Sequence, residues 1–260
     1  MELGEYFGKV FSKIFNKDLF WPQFVLSIIC GFVFGALIVI GIVLFGGQTL
    51  IGFFLGQNVD IAMMPNVYNS FLSMVSLVIY LAVIGLVSMY IHQVIYCFLI
   101  SRIPSIEKNT KLEFFEKLGN AFGLGFKLFI AHIIFGLVVA LILVIVWFSL
   151  FWASILGWII AGIISLCIGI YHVTGILILT GNIATGKALG YSLARAFVKP
   201  VSQFKLTCYS LIFGIILVIA LIIFGVLGLI PLLGTIIVLI FGAVVSIYFS
   251  LIAYYFAQEQ

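Results

Sequence analysis

His92, His132 and His172 are the three histidines of this 260-residue chain, and each falls inside a long apolar stretch. Polar side chains placed in lipid are costly and turn toward neighbouring helices. Three imidazoles gathered at one depth would bind a transition metal, hold a haem as an axial pair, or relay protons. Aligning the predicted hairpins at their ends places His92, His172 and Phe249 at equivalent positions. No carboxylate sits near them to orient a ligating ring. The plainer account is therefore hydrogen bonding between helices, with Gln93, Tyr96, Tyr171 or Thr174 as partners.

The remaining chemical signals are thinner. Gly181 to Ala188 fits the spacing of a phosphate-binding loop, but Ala188 stands where a magnesium-binding Ser or Thr is needed, and no strand precedes it. A helix start capped by Asn182 or Thr185 explains the same residues. Cys30, Cys97, Cys167 and Cys208 lie in or beside apolar segments without a CxxC pair, so they read as small buried hydrophobes. No paired carboxylates and no nucleophile beside a base occur, so no catalytic residue, no enzymatic activity and no cofactor is assigned.

The elements that carry these residues follow from composition. The chain is 65% hydrophobic and 8% charged, with a mean hydropathy of +1.39. A soluble domain carries about 25% charged residues, which excludes a water-soluble enzyme. Six apolar runs, at about 23–45, 71–101, 124–148, 153–179, 206–227 and 232–256, are each long enough to cross a bilayer. The fold class expected is all-α, a polytopic transmembrane helical bundle forming one domain over 1–260.

Charge placement orients the spans. The basics fall in three clusters: Lys9, Lys13 and Lys17; Arg102, Lys108, Lys111, Lys117 and Lys127; Lys187, Arg195, Lys199 and Lys205. Basic residues stay on the cytoplasmic side, so all three clusters and both termini are expected there, in a plasma or cytoplasmic membrane. The N-terminus does not read as a cleaved signal peptide, since Glu2, Glu5 and Asp18 interrupt it and no short apolar core precedes a cleavage site. The clusters are short and mixed with Glu, which argues for anionic lipid rather than nucleic acid as partner.

Each cluster accompanies a segment with one apolar and one basic face. Leu3, Phe7, Val10, Ile14 and Phe15 oppose Lys9, Lys13 and Lys17; Leu112, Phe115 and Leu118 oppose Glu116 and Lys117; Leu189, Leu193 and Phe197 oppose Lys187, Arg195 and Lys199. These predict three cytoplasmic-side interfacial amphipathic helices. Trp21 and Pro22 mark a break after the first helix, and Thr110 with Glu113 makes a capping box at the start of the second. The chain then reads as a triple hairpin repeat with units 1–101, 102–182 and 183–260. Trp147, Trp152 and Trp158 form an aromatic belt at the opposite interface. Gly31 with Gly35, and Gly157, Ala161, Gly162 and Gly169, supply small residues for close helix packing.

The stretch Gly186-Lys-Ala-Leu-Gly-Tyr-Ser-Leu-Ala-Arg-Ala-Phe, the Pro231-Leu-Leu-Gly234 turn and the final Tyr254-Tyr255 resemble a broad group of six-span membrane proteins. The membrane domain attached to some glycerophosphodiester phosphodiesterases is similar. The resemblance covers the C-terminal third and implies a helical bundle with short interfacial helices; no catalytic domain has a counterpart here.

The function expected is that of a non-enzymatic scaffold, accessory or lipid-interacting subunit. Its head-group contacts would be Lys9, Lys13, Lys17, Lys117, Lys187, Arg195 and Lys199, with a protein partner or a second copy of the chain alongside. One alternative is a small-solute or lipid transporter or channel. The other is a metal or haem protein built on His92, His132 and His172.

Overall fold

The structure is a computed structural model that describes residues 3–46, 67–108, 110, 114–152, 155–198 and 231–258. Among the described residues it is all-helical, without strands. Helix α1 is Leu3–Ile14 and α2 is Lys17–Gly41, continued by one wider turn over Ile42–Gly46. Then follow α3 (Val67–Glu107), α4 (Phe114–Leu150), α5 (Ile155–Ala184), α6 (Leu189–Val198) and α7 (Pro231–Gln258). Among the described residues, five helices, α2, α3, α4, α5 and α7, are long and apolar enough to cross a membrane. The expected span at 206–227 lies outside the described residues. At about 1.5 Å per residue, the 41 residues of α3 run well past a hydrocarbon core of about 30 Å.

Residue contacts divide the chain into two compact units, Met1–Phe24 with Gln93–Gln260, and Val25–His92. In the smaller unit, Gly41 leaves room for the Tyr80 ring, and the Tyr80 hydroxyl donates to the Leu37 carbonyl at 2.9 Å. Its other surfaces are largely apolar and open, with Phe32 76% exposed.

The larger unit is organised around α5, which packs on α4, α6 and α7, while α1 packs on α7. Phe135 of α4 is fully buried at the join of three helices. Its ring lies 5.5 Å from His172, 5.9 Å from Tyr171 and 5.0 Å from Phe197, and Gly175 of α5 makes the space for it. Gly181 brings α5 against the Ala253 carbonyl of α7, and a Cβ on Gly125 would stand 2.8 Å from the Val94 Cα. Glycine at such crossings lets backbones approach where a lipid-embedded bundle gains its packing energy. These are not the glycines singled out by spacing: Gly35, Gly162 and Gly169 face open space, and only Gly157 and Ala161 of that set are buried.

Several helix boundaries differ from the sequence reading. The break after α1 falls at Asn16, whose side-chain oxygen accepts the Asp18 N–H at 2.8 Å and caps α2. Pro22 is carried inside α2, where it forfeits one hydrogen bond near the helix start. Thr110 closes α3 by donating its N–H to the Ser105 carbonyl at 2.9 Å, and Glu113 lies outside the described residues. The Gly181–Ala188 stretch is a helix end rather than a start. The Lys187 N–H reaches the Asn182 carbonyl and the Gly186 N–H reaches the Ile183 carbonyl, both at 2.9 Å. Gly186 itself has φ of 89°, so the phosphate-loop spacing is a helix C-cap that only glycine forms without strain.

Candidate functional site

At one end of the larger unit, the C-termini of α3, α5 and α7 meet the starts of α4 and α6, and charged side chains fasten them together. Lys13 of α1 donates to a Glu107 carboxylate oxygen at 2.6 Å. The Tyr255 hydroxyl donates to the same oxygen at 2.8 Å and Tyr254 to the other at 3.5 Å. Lys13 also lies 5.5 Å from the centre of the Tyr255 ring. One acid thus gathers a cation and two phenols from two helices, and Glu107 carries that role at the foot of α3. Its position after a long apolar run is the only sequence sign of it.

Two other lysines are turned toward backbone. Lys117 donates to the Ser101 carbonyl at 2.8 Å and to the Ser105 hydroxyl, tying α4 to the end of α3. Lys187 donates to the Ala257 carbonyl at 3.1 Å in the last turn of α7, where a cation complements the helix dipole. Lys187 and Arg195 both stand over the Tyr191 ring, at 5.8 and 5.0 Å from its centre. Burial first, and then the positive charge of Arg195, hold the Lys187 ammonium below the ordinary lysine range.

The other expected head-group contacts are placed more simply. Lys9 and Lys17 are exposed on and beside α1, and Lys199 lies outside the described residues. Arg102 and Asn182 were not among those contacts, yet both are buried, at 5% and 1% exposure. Neither Asn182 side-chain amide atom has a hydrogen-bond partner.

The histidines separate into two settings. His92 is exposed in the smaller unit and bonds the Ser88 carbonyl of its own helix through Nδ1, at 2.9 Å. His132 and His172 are on α4 and α5, and the His172 ring reaches across to α4, where a Cβ on Gly136 would stand 4.0 Å from its Cε1. His172 stacks on Phe135, and His132 lies against the Ile176 backbone. His132 Nε2 and His172 Nδ1 are both buried without a hydrogen-bond partner. Among the described residues, no group of three or more His, Cys, Asp or Glu side chains gathers as a metal site. Of the cysteines, Cys97 is buried, Cys30 half-buried and Cys167 exposed on an apolar face; Cys208 lies outside the described residues.

Around the α4–α5 turn, Trp147 donates to the Ser165 hydroxyl at 3.0 Å and Trp158 to the Phe151 carbonyl at 3.3 Å. Exposed Trp152 packs edge-on against Phe151. Polar tips paired with apolar ring bodies suit the boundary between lipid and water.

Five long apolar helices, open apolar flanks and a charged layer of helix ends define the class, a helical multi-pass membrane protein. Comparison with family models, characterised proteins and solved structures finds no match.

Proposed function

We propose that the chain is a non-enzymatic membrane scaffold or accessory subunit whose basic end engages anionic lipid. The observation that carries this reading is the gathering of Lys13, Arg102, Lys117, Lys187 and Arg195 at the end of the larger unit where helix termini meet. In this reading that end is cytoplasmic, both termini lie beside it, residues 206–227 supply a sixth span, and α1 and α6 ride in the interface. Exposed Lys9 and Lys17 reach head groups, while the lysines that also fasten helices set the bundle at that depth. Units 1–101 and 183–260 each add a separate interfacial helix and a hairpin, while in unit 102–182 the amphipathic segment forms the first turns of the unbroken α4.

The test is the thermal stability of the full chain in nanodiscs of zwitterionic lipid with and without added phosphatidylglycerol. Stabilisation by the anionic lipid that fades with added salt is expected. Equal stability in both bilayers removes the lipid reading.

A second reading is favoured by the unpartnered ring nitrogens of His132 and His172. Two imidazoles with free nitrogens would take a transition metal ion or a haem, with further ligands from outside the pair. An optical spectrum with metal analysis of the purified protein decides it, and a colourless, metal-free preparation removes it.

A further inference from the structure

Arg102 is a permanently charged group that no hydrogen bond or ion pair answers among the described residues. The residue is 5% exposed, and its guanidinium makes no hydrogen bond among the described residues; the Nε is buried without a partner. The side chain sits in an aromatic corner. Phe98 of α3 and Phe114 of α4 meet edge-to-face at 5.1 Å, and the guanidinium carbon lies 5.3 and 5.8 Å from their centres. Rings attract the flat face of a guanidinium but leave its in-plane N–H donors unsatisfied. Asp18 is the acid whose charge reaches Arg102, yet no ion pair joins them among the described residues. A buried charge in that condition is costly unless a counter-charge completes it.

The neighbourhood adds a second donor. Lys117, one turn after Phe114, reaches the carbonyl of Ser101, the residue preceding Arg102, and the hydroxyl of Ser105. Among the described residues, two of its three ammonium donors are thereby engaged and one remains. A guanidinium presents its donors as a fork that matches two oxygens of one anion. Carboxylates and phosphates both have that geometry. At the end of a membrane helix beside other basics, phosphate is the oxyanion the membrane itself supplies in quantity.

We propose that Arg102, seated on Phe98 and Phe114 and assisted by Lys117, binds a phosphate group, carried by an anionic lipid or free in solution. The lipid form rests on the lipid-contact reading above; the free-phosphate form does not. Asp18 acts as an internal competitor for the same cation.

The experiment uses the full chain in nanodiscs, with thermal stability as readout. One arm adds phosphatidic acid to zwitterionic bilayers, and the other titrates inorganic phosphate into purely zwitterionic bilayers at constant ionic strength. A response to phosphatidic acid alone assigns a lipid site; a response to inorganic phosphate assigns a soluble-anion site and withdraws the lipid form. Arg102→Gln is expected to weaken the response about tenfold or more, as loss of charged hydrogen bonds does, while Lys127→Gln, which removes the same charge from an exposed position outside the proposed head-group contacts, leaves it unchanged. Asp18→Asn serves even where Arg102→Gln fails to fold. It is expected to lower the half-saturating phosphate or lipid concentration, because the competitor is gone. No response in either arm, or equal loss with Lys127→Gln, overturns the site. So does an Asp18→Asn protein that is only less stable, with unchanged anion response, because Arg102 then belongs to Asp18.

Discussion

Gly169→Ala and Gly181→Ala make the same change on the same helix and are expected to move stability in opposite directions. Both positions lie in α5. Adding a methyl group to a helical glycine favours the helix by about 1 kcal/mol, a term common to both. At Gly169 nothing lies within 4 Å of the added Cβ, so that term stands alone and the variant gains up to about 1 kcal/mol. At Gly181 the new Cβ falls onto the carbonyl of Ala253, with the Ala253 carbon at 2.9 Å and the Ala257 Cβ at 3.1 Å. Two of these atoms are backbone, which no rotamer change can clear, so α5 and α7 must separate. Overpacking of this kind costs about 1–3 kcal/mol. Because the obstacle is backbone, the upper part of that range applies, and a net loss of about 1–2 kcal/mol remains after the helix term. Separation would also pull Lys187 away from Ala257, so the loss should come with weaker protection of the α7 C-terminus. Thermal unfolding in one detergent, with hydrogen exchange at residues 251–258, measures both effects. A Gly181→Ala protein as stable as wild type, or one that shifts with the same sign as Gly169→Ala, refutes the close α5–α7 contact.

Gly186→Ala is expected to destabilise by about 1–2 kcal/mol, since φ of 89° forces a Cβ into the left-handed region, and Gly186→Asn by less; melting temperatures of the two variants check this. In a double-mutant cycle, the coupling between Lys13 and Glu107 should be modest, about 0.2–1 kcal/mol, because both side chains are part-exposed at 25% and 31%. Glu107→Gln should nevertheless cost more than Lys13→Met, since Glu107 also accepts from Tyr254 and Tyr255. The Lys187 ammonium is held below its ordinary pKa in the fold, so between its folded value and the unfolded value near 10.5 the unfolded chain binds more protons. Stability therefore carries a rising contribution with pH across that window. Lys187→Met should abolish the contribution, as followed by unfolding at stepped pH between 8 and about 10.

The sequence by itself determined the class and the sites of helix formation. Apolar runs with no charge leave the backbone no option in lipid other than to satisfy its hydrogen bonds within a helix. That logic is local, so α2, α3, α4, α5 and α7 were legible from hydropathy, and the clustering of basics at helix ends was visible as well. Punctuation was less legible. Asn16 and Gly186 end or begin helices through side-chain and left-handed geometry, while Trp21–Pro22 lies inside α2 and Thr185 bonds back to Gly181 at the end of α5.

What only the tertiary structure decided is which residues meet. Spacing pointed to Gly31, Gly35, Gly157, Ala161, Gly162 and Gly169, of which Gly157 and Ala161 are buried, whereas Gly125, Gly175 and Gly181, which spacing did not mark, make close approaches, because helix rotation is set by the neighbouring helices. Three histidines looked equivalent along the chain, yet His132 and His172 share the α4–α5 join and His92 bonds its own helix in the other unit. Lys13, Lys117 and Lys187 appeared as one kind of surface charge; in the fold they hold Glu107, the α3 carbonyl end and the α7 carbonyl end. Arg102, one basic among five in its cluster, became distinct only when Phe98 and Phe114 closed over it. Charge and hydropathy act along the chain, but pairing and burial are properties of elements brought together from far apart in it.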